Sequence, residues 1–284
     1  MLYQQRRIAY DSIRRQSALE AIDELFKTQQ FYWFLGHLFT IIFFTCSVLT
    51  GVVDHRISLR YYQYSLVSII ISYLLMIAQI YPKSGIMFMK LKHTSIKDYN
   101  IQYFLLALVL YWSSFKIGQI RSGLYSYVIY SGLHVIIYCQ KHIAPIFITK
   151  IKDKERFDSI IGRIISAINL PILFIAAIGE IVTLFLAIFQ FLTSLVFLLI
   201  NWDWKFVGIN LFVVVVFVVF VKLRFDDNHC TNTVINSIDT RIDDIVNQIN
   251  DPQLLYIYHV IRDAGIKYFS LIQLDQYSPD GAVK

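Results

Sequence analysis

Three ionisable side chains stand inside long apolar stretches of this 284-residue chain: His37, His134 and Glu180. An ionisable group in hydrocarbon is costly and is a functional candidate by default. Two imidazoles and a carboxylate have the donor types to hold a metal or relay a proton. The competing reading is that each makes a polar bond between neighbouring helices. The sequence favours this second reading, because the three residues lie on three separate apolar runs and no ligand spacing links them. No Gly-rich phosphate loop, HExxH, paired CxxC or nucleophile elbow occurs. Gln79, Gln102, Gln119 and Gln190 are scattered and form no line of pore-facing groups. The expectation is a non-catalytic protein without cofactor or metal. The alternatives are a small ion, proton or solute transporter, or an intramembrane lipid-modifying enzyme, built on His37, His134 and Glu180.

The elements that must carry these residues are apolar runs at 31–53, 61–81, 101–115, 123–139, 170–200 and 206–221. Apolar residues make up 56% of the chain and charged residues 16%, a balance that soluble domains rarely reach. From the N-terminus, the gaps around these runs hold 5, 2, 4, 2, 6, 1 and 6 Lys and Arg residues. That alternation is what the positive-inside rule produces when a chain crosses a bilayer six times with both ends in the cytosol. Runs 31–53 and 61–81 meet the roughly 20 residues that a helical crossing needs, and 170–200 exceeds it. Runs 101–115 and 123–139 are short, either thin spans or a re-entrant hairpin, and the charge count does not separate these. Aromatic residues gather at run ends, as at Phe31–Trp33 and at Trp202 and Trp204, in the manner of an interfacial belt. Pro82, Pro145 and Pro171 punctuate the map, with Pro171 expected to open the fifth run. Run 31–53 is expected to act as a signal anchor. Cys46, Cys139 and Cys230 make no disulfide framework.

The sequence predicts an all-α polytopic transmembrane helix bundle with amphipathic cytosolic terminal helices. Residues 1–30 form a basic N-terminal segment, 31–221 the transmembrane region and 222–284 a cytosolic tail. A helix over 4–27 is expected to lie on the membrane, with Arg6, Arg7, Arg14 and Arg15 meeting the headgroups. Gly179, Thr183 and Ala187 lie four apart, a small-residue stripe that lets helices approach closely, and Glu180 beside it should be buried in the bundle or at an oligomer contact. In the tail, Val234, Ile238, Ile242, Ile245 and Ile249 make one apolar stripe. Leu254, Tyr258, Ile261, Tyr268 and Ile272 make a second, split from the first at Asp251–Pro252. These stripes are expected to pack on each other, lie on the membrane or receive a partner protein. From residue 226 onward there are nine acids and four bases. Anionic lipid repels such a surface, so packing or protein binding is favoured there. The net charge of +6 reflects topology and anionic headgroups, not nucleic-acid binding.

Four segments carry a resemblance. They are Phe31–Thr40 (FYWFLGHLFT), Tyr130–Lys141 (YSGLHVIIYCQK), Leu173–Glu180 (LFIAAIGE) and Val221–Cys230 (VKLRFDDNHC). In order and spacing over about residues 31–250 they resemble the transmembrane protein 33 family of endoplasmic-reticulum and fungal nuclear-pore membrane proteins. The resemblance implies residence in the endoplasmic reticulum and nuclear envelope. It also implies a role in shaping tubular membrane with reticulon-type proteins, and a part in nuclear pore complex assembly or distribution beside nucleoporins. It further implies a C-terminal helix that reaches the membrane and a nuclear-import receptor, and the acidic tail departs from the basic helix expected there.

Overall fold

The computed structural model describes residues 19–80, 98–148, 150–249 and 251–271. Among them there are helices and turns and no strand. After a short helix over 19–26, the main helices are α1 (Gln29–Thr50), α2 (His55–Ile80), α3 (Tyr99–Ile117), α4 (Tyr125–Tyr138), α5 (Ile151–Asn201), α6 (Trp204–Asp227), α7 (His229–Ile249) and α8 (Pro252–Leu271). Four of them, α1, α2, α5 and α6, are long and apolar enough to cross a membrane.

Small polar side chains fix the α1–α2 hairpin. Thr28 caps α1 by accepting from the Phe31 amide at 3.2 Å. Asp54 accepts from the amides of Arg56 and Ile57 and so opens α2. Along the seam, Ser58, Ser65 and Ser72 recur every seven residues and face Ser47, Thr40 and Gly36. The Ser65 hydroxyl donates to the Thr40 carbonyl at 3.1 Å, and Ser47 and Ser58 each donate to the other's carbonyl. Side chains this small let the two backbones approach, and the hydroxyls find acceptors without water.

α3 runs antiparallel to α2 along most of its length. Tyr73 stacks on Tyr103 at 5.8 Å near the end where α1 begins, called here the near end. At the far end, Gln63 donates to Ser114 and Gln119 bonds Ser58. A 3₁₀ turn over Arg121–Leu124 feeds α4, and Arg121 locks the far end. Its guanidinium donates to Ser58 Oγ at 2.9 Å and to Gln119 Oε1 at 2.7 Å. It lies so close over Gly51 that any β-carbon there would strike it. α4 returns along α1, with Phe44 against Tyr125 and Phe34 stacked on Tyr138. The core between α2, α3, α4 and α6 includes Tyr62, Leu66, Leu110, Leu124, Tyr127, Val213 and Phe217.

Two boundaries differ from the sequence expectation. α5 is a single helix of 51 residues with Pro171 inside it, so this proline does not open the element. Pro171 forfeits only the bond to the Ala167 carbonyl, and hydrogen bonds on either side carry the helix through. α6 continues past Val221 to Asp227, which leaves Lys222, Leu223 and Arg224 buried rather than in a solvated tail. The reason is that Lys222 pairs with Asp226 and Arg224 finds a carboxylate on α5, so their charge does not end the packed region. Between α5 and α6, Trp202 adopts a left-handed conformation and Asp203 caps α6 by accepting from Phe206. Lys116 pairs with Asp203 at 3.1 Å and ties α3 to this turn, holding the Asp203 carboxyl below its ordinary pKa range.

A β-carbon at Gly36 would run into Ser72. Gly36→Leu should therefore force α1 and α2 apart and destabilise the protein by about 1–3 kcal/mol, the usual cost of overpacking. The check is the melting temperature of detergent-solubilised protein. An unchanged Tm would show that the seam is not close-packed.

Candidate functional site: a buried ion pair at the near end

Glu180 sits on α5, 3% exposed, facing α3 and α6. The Tyr103 hydroxyl donates to Glu180 Oε1. Arg224 Nε of α6 donates to Oε2 at 3.4 Å. The other side of the guanidinium donates to the Tyr130 hydroxyl at 3.4 Å and lies over the rings of Tyr99 and Tyr103, at 4.9 and 5.4 Å. Tyr99 bonds the Asp227 carbonyl at 2.9 Å, and the Tyr127 hydroxyl bonds the Tyr103 carbonyl at 2.7 Å. One carboxylate and one guanidinium thus join α3, α4, α5 and α6.

Chain geometry brings the two charges together. Glu180 stands 21 residues before the end of α5, and Arg224 stands 20 residues after the start of α6. At about 1.5 Å of rise per residue, both lie roughly 30 Å from the Trp202–Asp203 turn. That distance matches the hydrocarbon thickness of a bilayer. With the Trp202–Asp203 turn at one face of a bilayer, the pair would sit at the opposite boundary rather than at the centre, and the cost of burying charge is lower at a boundary.

The three sequence candidates do not form one constellation. His37 Nδ1 bonds Ser131 Oγ at 2.9 Å. Its ring is 4.9 Å from that of His134, and Trp33 meets both rings edge-on at 4.7 Å. Glu180 belongs to the other cluster, and Tyr73 stands between them, 6.4 Å from His37 and 5.8 Å from Tyr103 by ring centroids. Among the described residues no set of three His, Cys, Asp or Glu side chains is arranged to hold a metal ion.

Within the stripe, Thr183 and Ala187 are buried, and the Thr183 hydroxyl donates to the Gly179 carbonyl at 2.7 Å. Gly179 faces Tyr125 with room for a β-carbon. Arg6, Arg7, Arg14 and Arg15 lie outside the described residues. In α7, Val234 and Ile238 pack against the core, whereas Ile242, Ile245 and Ile249 are exposed. In α8, Leu254 and Ile261 are exposed and Tyr258 donates to Asp239 at 2.9 Å. Arg262 forks onto the same Asp239 carboxylate and holds its pKa below the ordinary range. Polar contacts therefore join the two tail helices, and part of their apolar face stays open.

The sequence reading missed Arg224 and its tyrosines. Arg224 falls three residues beyond an apolar run, inside the segment 222–284 expected to be a tail. The available signal was the near-equal spacing of Glu180 and Arg224 on either side of the Trp202–Asp203 turn. Tyr99 and Tyr103, one helical turn apart at the start of α3, resemble ordinary interfacial aromatics.

The family model for transmembrane protein 33/nucleoporin POM33 matches residues 14–264. A curated relative from Saccharomyces cerevisiae, the pore and endoplasmic reticulum protein of 33 kDa, is 29% identical over 235 residues. The match covers 80% of this chain and 85% of the relative. No solved structure matches.

Removing one member of a buried pair strands the other in a low-dielectric site, at about 3–5 kcal/mol, whereas replacing both by apolar groups is often neutral. Glu180→Leu should lower the Tm sharply, and Glu180→Leu combined with Arg224→Leu should recover most of the loss. Additive losses in thermal melts of the purified variants would mean that the two charges are not coupled.

Proposed function

This chain belongs to the transmembrane protein 33/nucleoporin POM33 family, and from that premise we propose that it is a structural membrane protein of the endoplasmic reticulum and nuclear envelope. In this reading it contributes to nuclear pore complex assembly or distribution and to shaping curved or tubular membrane, without catalysis. The observation that carries the proposal is the family match along most of the chain, together with the pore and endoplasmic-reticulum name of the yeast relative. The site geometry supports it. Glu180 already has a cation and a hydroxyl donor, and those partners serve to join helices rather than to face a substrate.

The same reading gives the bundle a mechanical role. α4 has 14 residues and α5 has 51, so the bundle combines helices of very unequal length. A bundle that fills one leaflet more than the other, aided by shallow interfacial helices, favours curved membrane. Both termini lie in the cytosol, with the basic segment of Arg6, Arg7, Arg14 and Arg15 at the headgroups. The open apolar face of α7 and α8, around Ile242, Ile245, Ile249, Leu254 and Ile261, is the docking surface for protein partners. Nucleoporins, reticulon-type proteins and a nuclear-import receptor are the partner classes.

Six crossings make a specific prediction about α3 and α4. In a background with Cys46, Cys139 and Cys230 changed to Ser, Gly118→Cys should react only with a thiol reagent on the lumenal side, and Lys154→Cys only from the cytosol. Labelling of both from the cytosol would make α3 and α4 a re-entrant hairpin.

The functional proposal itself is tested by imaging a tagged copy at native expression. Rim puncta that coincide with pore markers are expected, and purified protein should bind highly curved vesicles several-fold better than flat ones. A signal confined to the plasma membrane or vacuole overturns the assignment, and equal binding to both vesicle types overturns the curvature role.

A further inference from the structure

A cavity of about 260 Å³ opens between α1, α2 and α4 at the near end of the bundle. Its apolar wall is Trp33, Met76 and Ile137. Its polar rim is Gln30, Gln79, Lys141 and His142, and His134 stands deeper beside Trp33. Among the described residues no carboxylate lines it. Lys141 is exposed and makes no ion pair among the described residues.

The backbone beneath the rim is irregular for a definable reason. Pro145 has no N–H to give the Lys141 carbonyl, and the chain over Cys139–Ile143 widens into a π-turn whose closing bond runs from the Ala144 amide to the Cys139 carbonyl. Single π-turns of this kind recur at functional sites. Tyr138, stacked on Phe34 and against His142, also lines the cavity. Its hydroxyl lies beside the Thr28 hydroxyl, which donates to the Leu25 carbonyl, accepts from the Phe31 amide and keeps one lone pair.

Depth identifies the occupant. His37 and Tyr73 lie beside the aromatic cluster that holds the Glu180–Arg224 pair, itself at the hydrocarbon boundary. Gln79 is six residues beyond Tyr73, and Gln30 seven residues before His37, both toward the near end. At about 1.5 Å per residue the rim is roughly 9–10 Å further out, in the headgroup layer. A basic rim there, with no carboxylate among the described residues, above an apolar wall, suits a ligand with a phosphate at one end and hydrocarbon at the other. Basic pockets between membrane helices hold anionic headgroups by the same physics.

We propose that this cavity binds the phosphate headgroup of an anionic membrane lipid. Lys141 supplies the charge, Gln30 and Gln79 donate amide hydrogens to the phosphate oxygens, and Trp33, Met76 and Ile137 receive the start of an acyl chain. The inference rests on the transmembrane placement proposed above.

The full-length protein in detergent should retain dioctanoyl phosphatidic acid in native mass spectrometry several-fold more than dioctanoyl phosphatidylcholine, and phosphatidic acid alone should raise its Tm. Lys141→Ala should weaken retention about tenfold, the loss of one charge-assisted contact. Gln79→Leu, which keeps every charge, should weaken it less, and serves if Lys141→Ala does not fold. Lys154→Ala, an exposed lysine on α5, should leave retention unchanged. Equal retention of the two lipids, or an unaffected Lys141→Ala variant, overturns the site. An equal Tm rise with inorganic phosphate at the same concentration overturns the lipid as ligand. Resistance of the protein to alkaline extraction from membranes tests the transmembrane placement separately.

Discussion

The Glu180–Arg224 pair is the constraint around which the near end of this protein is arranged. Two charges that are both almost fully buried must face each other, or each carries an uncompensated desolvation penalty. That requirement fixes the register of α5 against α6. The tyrosines complete the arrangement, because a carboxylate and a guanidinium offer more hydrogen-bonding sites than one ion pair uses. Tyr103 donates to one free lone pair of Glu180, and Tyr130 accepts a free N–H of Arg224. The positions of α3 and α4 follow from those two bonds.

The far end solves a related problem with neutral side chains gathered around one guanidinium. Ser47, Ser58 and Gln119 share their donors and acceptors, and Arg121 closes the set over Gly51. Between the two ends Gly36, Thr40, Ser65 and Ser72 keep the α1–α2 backbones close. The bundle is thus pinned at both ends by polar networks and filled between them by close packing. In a lipid environment apolar side chains gain little by leaving hydrocarbon for one another, so specific bonds and tight contacts must carry the association. This division of labour fits the structural role proposed above.

The ionisable residues that first suggest chemistry take on different roles in three dimensions. Glu180 pairs with Arg224 and accepts from Tyr103. His37 and His134 form an aromatic and hydrogen-bonded cluster with Trp33 and Ser131, and His134 borders the near-end cavity. The tail helices follow a separate logic. Asp239 holds Tyr258 and Arg262, so α7 and α8 meet through polar contacts. Their apolar residues are left for other surfaces.

Composition, run length and charge asymmetry determined that this is an all-α membrane protein, because hydrocarbon admits only segments whose backbone bonds are satisfied internally. Four quoted segments were enough to indicate the family. The burial of Glu180, Thr183 and Ala187 was legible from spacing, since a helix with a small-residue stripe and a carboxylate has one face unsuited to lipid. The partner of Glu180 was not legible. Arg224 is 44 residues away in sequence and looks like the start of a tail. Only the antiparallel return of α6 brings it to the same depth. The uninterrupted helix through Pro171 was equally hidden, because a local signal for a break was outweighed by the bonds on either side. The near-end cavity draws on three helices and a π-turn that no linear pattern announces. Sequence sets which surfaces must be buried, because solvent preference is a property of each residue. Tertiary structure alone decides which of them meet, because pairing depends on depth and rotation that become defined only when the helices pack.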